Sequence, residues 1–168
     1  MRNVSLFPVA LLLLASPLLA QVDVQYDADA GVTTVSIPPV GTGRDAFTLK
    51  ASFECPGEEL CVPAAIQLVF ASWNRRPRYR ANHEVTLVLD KETEIRDLNA
   101  RHLEKAARGM YRGMNEYIVC EPPTDEFLSI AAAKRVDYRI GSTKGRLGKE
   151  QLAALAALAE RIPATGES

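Results

Sequence analysis

The run Trp73-Asn74-Arg75-Arg76-Pro77-Arg78-Tyr79-Arg80 packs four arginines and two aromatic rings into eight residues with no acid among them. Planar guanidinium forks bind carboxylate, sulfate or phosphate, and an indole or phenol ring stacks on a sugar or a base. Trp73 is the only tryptophan of the chain. Pro77 and the strand pattern before it predict an exposed loop, and loops are where binding groups gather. The candidate ligand contacts are Trp73, Arg75, Arg76, Arg78, Tyr79 and Arg80. Their chemistry fits an anionic partner: a polysaccharide, a lipid surface or an acidic protein patch. The plain alternative is a solvated hairpin loop, with Trp73 tucked against the fold and the arginines reaching Glu58, Glu59 or Asp90. Arg96, Arg101, Lys105, Arg108 and Arg112 extend the basic surface but are interspersed with acids.

Catalytic motifs are missing. The two histidines, His83 and His102, form no H-E-x-x-H helix, and the cysteines form no C-x-x-C, so neither a metal nor a cofactor is implied. No G-x-S-x-G elbow occurs. Gly148-Lys149 resembles the end of a phosphate loop, but Thr143 stands where that loop needs glycine. Glu150 stands where it needs Ser or Thr, and its charge repels phosphate. His102 reads as a surface residue. The acids Asp27, Asp29, Glu58, Glu59, Asp90 and Glu92 fall in turn sequences, where solvation explains them. A small envelope-acting hydrolase is the alternative function, since paired acids can lie far apart in sequence.

Residues 1–20 have the layout of a secretory signal peptide: Arg2 near the start, the run Val9 to Ala15, then Ala20 before Gln21. The run is too short for a membrane span, which takes roughly 20 apolar residues. Cleavage after Ala20 leaves 148 residues with 19 basic and 21 acidic side chains. That is one domain's worth, expected over 21–163 with a loose tail at 164–168 and no membrane span. A near-balanced charge argues against nucleic acid, because phosphate attraction needs a strongly basic surface. Arginine outnumbers lysine 14 to 6. That bias and the leader suggest a bacterial exported protein, periplasmic or extracellular. In that oxidising setting Cys55 and Cys61 are the natural disulfide, bracketing Pro56-Gly57-Glu58-Glu59-Leu60. Cys120 is then a buried thiol on the face of Ile118, and its pairing with Cys55 or Cys61 is the other possibility.

The elements follow from periodicity. Phe47, Leu49, Ala51, Phe53 and Cys55 alternate with polar residues, as a half-buried strand does. Similar signals predict strands at 22–26, 32–37 (stopped by Pro38-Pro39), 64–73, 84–89, 93–98, 115–120, 136–140 and 143–147. Thr124 is expected to cap a short helix near 125–133. Gly148 is expected to cap a second helix near 149–162, with Leu147 and Leu152 as its staple. Residues 101–112 read as an exposed connection with a helical turn. The sum is a mainly β protein, an antiparallel β-sandwich with two helices.

Phe127 to Thr143, running FLSIAAAKRVDYRIGST, resembles a pattern in small bacterial secreted proteins without an assigned activity. There "FLxIAxAK" leads into a strand "VxxRLGxT", a second strand and a C-terminal helix, which Gln151 to Ile162 fits. Phe53, Pro56-Gly57 and Val62-Pro63 are similar to the earlier half of the pattern. The resemblance implies the strand–strand–helix ending and no catalytic residue. The Cys55–Cys61 pair is not part of it. The function expected is a non-catalytic binding or interaction module. Another way to interact is docking of the terminal helix or a sheet edge onto a partner.

Overall fold

The computed structural model describes residues 22–41, 47–96, 98–107 and 113–164. The expected leader at 1–20 and most of the expected tail lie outside the described residues, as do Arg108 and Arg112. Two antiparallel sheets form a sandwich-like, mainly β fold. The larger sheet runs β1(Asp23–Asp27), β2(Val32–Val40), β3(Thr48–Pro56), β4(Gln67–Asn74), β8(Met114–Cys120), β7(Arg101–Ala106) in spatial order. The smaller runs β10(Thr143–Arg146), β9(Val136–Ile140), β5(Val85–Leu89), β6(Thr93–Ile95). Helices α1(Thr124–Ala132) and α2(Lys149–Ala159) complete the fold.

Alternation decides which side chains meet. Leu49, Ala51, Phe53, Leu68, Phe70 and Ile118 turn inward from the larger sheet. Val85, Leu87, Val136, Tyr138 and Ile140 answer from the smaller one, in one continuous core. Phe47 meets Phe70 and Tyr138 edge-on, at 6.0 and 5.7 Å between ring centroids. Aromatic rings prefer such tilted contacts because their faces are negative and their edges positive. Helix α2 packs on β2 and β3 with Leu155 and Leu158 fully buried, and α1 packs on α2. Gln151 of α2 returns its Oε1 to the Gly148 N–H at 2.8 Å and donates to the carbonyls of Val40 and Phe47.

Three expectations are corrected. Strand β2 continues through Pro38-Pro39 with a register shift between Ile37 and Val40. Strand β1 ends its pairing opposite Ser36, so the prolines remove no donor that a ladder on that side needs. Thr124 is inside the first turn of α1, not its cap, and its hydroxyl donates to the Pro63 carbonyl. Residues 101–106, expected as a connection, form strand β7 paired to β8 along its length.

The disulfide joins Cys55 to Cys61, with Cα atoms 5.5 Å apart. Gly57 in its ring has φ +78°, a conformation that suits glycine. Its N–H donates to the Gly31 carbonyl, and its own carbonyl accepts from the Thr33 hydroxyl at 2.6 Å. Closing so short a loop contributes about 2 kcal/mol. The Cys55→Ala, Cys61→Ala pair is therefore expected to lower the urea-unfolding free energy by about that amount, with the far-ultraviolet spectrum unchanged. Cys120 is fully buried, and burial, with a smaller effect from Glu121, pushes its thiol up to about 12. It is an inert packing group, as its strand parity predicts.

Candidate functional site

Strand β4 leaves the larger sheet at Asn74, and the chain crosses to β5 in the other sheet through residues 75–84. A crossover this rich in arginine has little apolar surface to hold it. A buried carboxylate holds it instead. Glu116 lies on β8 opposite Ser72 of β4, on the inward face shared with Ile118 and Cys120, and is 0% exposed.

Four groups donate to Glu116. Its Oε1 accepts the backbone N–H groups of Arg78 at 2.8 Å and Tyr79 at 2.9 Å. His102 Nε2 on β7 lies 3.0 Å from the same oxygen. Its Oε2 accepts from Asn74 Nδ2 at 2.8 Å and shares the Arg78 N–H at 3.0 Å. Burial alone pushes the Glu116 carboxyl up. The backbone donors Tyr79 and Arg78, then His102 and Asn74, outweigh it and leave the carboxyl below its ordinary value. A carboxylate offers about four lone-pair sites, and here all are used. Glu116 is thus a structural anion with no free site for a substrate proton.

Tyr79 is the second pin. Its ring is 2% exposed and lies 5.2 Å from that of Phe47. Its hydroxyl is 2.9 Å from Thr143 Oγ1 at the start of β10. This corrects the expectation for Tyr79: it anchors the loop inside the core and presents nothing to a ligand. With 78 and 79 fixed, the neighbouring guanidinium groups project outward. Arg75, Arg76 and Arg78 are exposed, and none forms an ion pair among the described residues. The Arg78 guanidinium sits 5.9 Å above the Tyr79 ring centre, within cation–π reach. Arg80 is engaged with Glu104 of β7. The expected acids Glu58, Glu59 and Asp90 form no ion pair with the loop; Asp90 accepts the Arg135 backbone N–H.

Trp73 stands apart from the others. It belongs to β4, not to the loop, and faces outward from the larger sheet at 47% exposure. The structure thus brings Arg75, Arg76 and Arg78 together at the turn, sends Tyr79 inward and places Trp73 on the adjoining sheet face. Among the outlying cations, Arg96 is held by Glu94 and Arg101 by Glu121. Lys105 is exposed, without an ion pair among the described residues.

Two residues that matter were not read from the sequence. Glu116 shares strand parity with Ile118 and Cys120, and that parity was the available signal for an inward carboxylate. His102 has a side chain only 8% exposed, correcting its expected surface position. Its ring lies 5.8 Å from that of His83, whose Nδ1 is buried with no partner. A groove of about 470 Å³ beside them is lined by His83, Glu84, Arg96 and Arg139 among others. A second groove of about 570 Å³ crosses the outer face of the smaller sheet. Its charges are largely matched: Arg135, then Arg146, hold the Asp137 carboxyl low, and Arg139 reaches the Thr86 hydroxyl. Among the described residues no three His, Cys, Asp or Glu side chains converge to hold a metal ion, and no helix is long and apolar enough to cross a membrane.

No family model, curated protein or solved structure matches the chain.

Proposed function

We propose that this protein is an exported, non-catalytic binding module that contacts an anionic partner through the turn carrying Arg75, Arg76 and Arg78. One observation carries the reading. The buried Glu116 carboxylate is spent on the backbone of the turn, which pins the loop while three guanidinium groups face solvent with no ion pair among the described residues. A preorganised cationic turn loses little conformational entropy when an anion docks. The leader-like start and the Cys55–Cys61 disulfide support an oxidising, extracytoplasmic setting. Saturation of Glu116 argues against using it as a general base, which removes the best-placed acid from the hydrolase alternative.

The test replaces Arg75, Arg76 and Arg78 together with Ser. Each exposed cation near a polyanionic surface contributes about 1 kcal/mol, so the triple variant should bind dextran sulfate roughly a hundredfold more weakly. Its thermal midpoint should stay within a degree or two, since none of the three side chains is buried. Equal binding of dextran sulfate by both proteins would overturn the reading.

A further inference from the structure

The turn adjoins a sheet face that no other element covers among the described residues. On the outer side of the larger sheet, Ala71, Tyr117 and Leu103 face one another across β4, β8 and β7. The next row holds Trp73, Asn115 and Lys105. Trp73 and Tyr117 are diagonal neighbours on an antiparallel pair, a spacing of about 7–8 Å. Trp73 and Leu103 are 47% and 57% exposed. The indole is laid against Gly113, where a Cβ would come within 2.6 Å of Nε1 and 2.7 Å of Cε2. The absent side chain therefore lets the ring rest on the backbone instead of standing clear of the sheet.

Charge is sorted along the same face. Lys105 beside Asn115, and Lys50 beside Val69, form no ion pairs among the described residues. Of the acids on this face, Asp23 and Asp27 lie on β1 at the far edge of the sheet, and Glu54 shares β3 with Lys50 but sits at the end away from the Trp73 row. A second copy docked by a two-fold axis on the Trp73 end would set these cations against themselves. An acyl-chain surface would need projecting aliphatic groups, and Leu103 is the one strongly exposed aliphatic of the two rows. Two aromatic side chains on neighbouring strands, with an amide and ammonium groups beside them, suit a pyranose ring that bears a carboxylate. Its C–H face stacks on the rings while its hydroxyls and carboxylate meet Asn115 and the lysines.

We propose that this face, continuous with the arginine turn, binds a strand of acidic polysaccharide, with Trp73 and Tyr117 as the stacking platform. The proposal rests on the anionic-partner reading and names the partner's class. The probe is alginate, a uronate polymer, with uncharged dextran and phosphatidylglycerol vesicles alongside. Trp73 is the only tryptophan, so its emission reports stacking directly. Alginate is expected to shift and quench that emission in the intact protein, and dextran is not. Trp73→Ala and Tyr117→Ala should each weaken alginate binding about tenfold, as central aromatic anchors do. Gly113→Ala, which displaces the indole, should weaken it too while keeping both rings.

The outcomes separate the two readings. If the Arg75, Arg76, Arg78 triple variant loses alginate binding while Trp73→Ala and Tyr117→Ala keep it, the platform is overturned and the anionic turn stands. If the platform variants lose binding and the arginine variant does not, the turn reading fails. Binding to the vesicles with none to alginate would assign the face to membranes and overturn the proposal. Absence of binding to every probe would overturn both.

Discussion

Glu116→Ala is expected to be the most destabilising polar substitution in the protein, costing about 4 kcal/mol in urea unfolding. The reason is geometric. Removing the carboxylate strands the Arg78 and Tyr79 N–H groups, the Asn74 amide and the His102 ring around a side-chain position that is 0% exposed. Each buried donor left without an acceptor costs about 1–3 kcal/mol. Glu116→Gln keeps one acceptor oxygen but turns an amide toward other donors, and should lose about half as much. It should remain folded and therefore show the local effect. Trypsin should cut the arginine turn faster in Glu116→Gln than in the wild type, because the pinned segment opens without global unfolding. An unchanged cleavage rate would show that the turn is held by Tyr79 alone.

The same carboxylate fixes a pH dependence. In the folded protein Glu116 sits below its ordinary value of 4.5, so the unfolded chain takes up its proton first as the pH falls. Its contribution is whole above the unfolded value and is lost as the pH drops through the folded one. The stability gap between wild type and Glu116→Gln should accordingly be constant near neutrality. It should close on acidification below about pH 4.5, where a protonated Glu116 and a glutamine become alike. A gap that widened toward acid would contradict the assignment of Glu116 as a charged acceptor.

The strands that were legible in the sequence are those with apolar side chains on the inward face. Leu49, Ala51 and Phe53, or Val136, Tyr138 and Ile140, announce their parity because burial and alternation coincide. Strand β7 was not legible because its pattern is inverted: His102 and Glu104 take the inward parity while Leu103 faces out. That inversion exists because Glu116, on the neighbouring strand, makes this corner of the interior polar. One unread carboxylate thus hid a strand, misplaced a histidine and left the loop's anchor unseen. The arginine turn itself was legible from composition. What composition could not separate was Tyr79 from its neighbours, since a phenol between arginines looks like a ligand contact until the Phe47 ring is found beside it. Trp73 was readable in principle: it is odd-numbered on a strand whose buried members are Leu68 and Phe70, so it belongs to the opposite face.

Gly145→Ala is the second substitution expected to have a large effect, although it adds a single methyl group. Gly145 of β10 pairs with Tyr138 of β9, and the Tyr138 ring lies across it. A Cβ at 145 would overlap the Tyr138 hydroxyl and Cζ and come within 3.0 Å of Cε2. An exposed tyrosine would simply swing away. This one is 7% exposed and wedged against Phe47 and Phe70, at 5.7 and 6.2 Å between ring centroids, so its displacement disturbs the aromatic centre of the core. Overpacking of this kind costs about 1–3 kcal/mol, and the upper end is expected here because the ring is held against both Phe47 and Phe70. The cost should belong to the pair and not to the glycine. In a Tyr138→Ala background the same Gly145→Ala change meets no ring and should cost only a few tenths of a kcal/mol, a coupling of about 2 kcal/mol in a double-mutant cycle. A full penalty that persisted without Tyr138 would instead place the constraint in the β9–β10 backbone, and the glycine would then be serving the turn at Gly141 rather than the core.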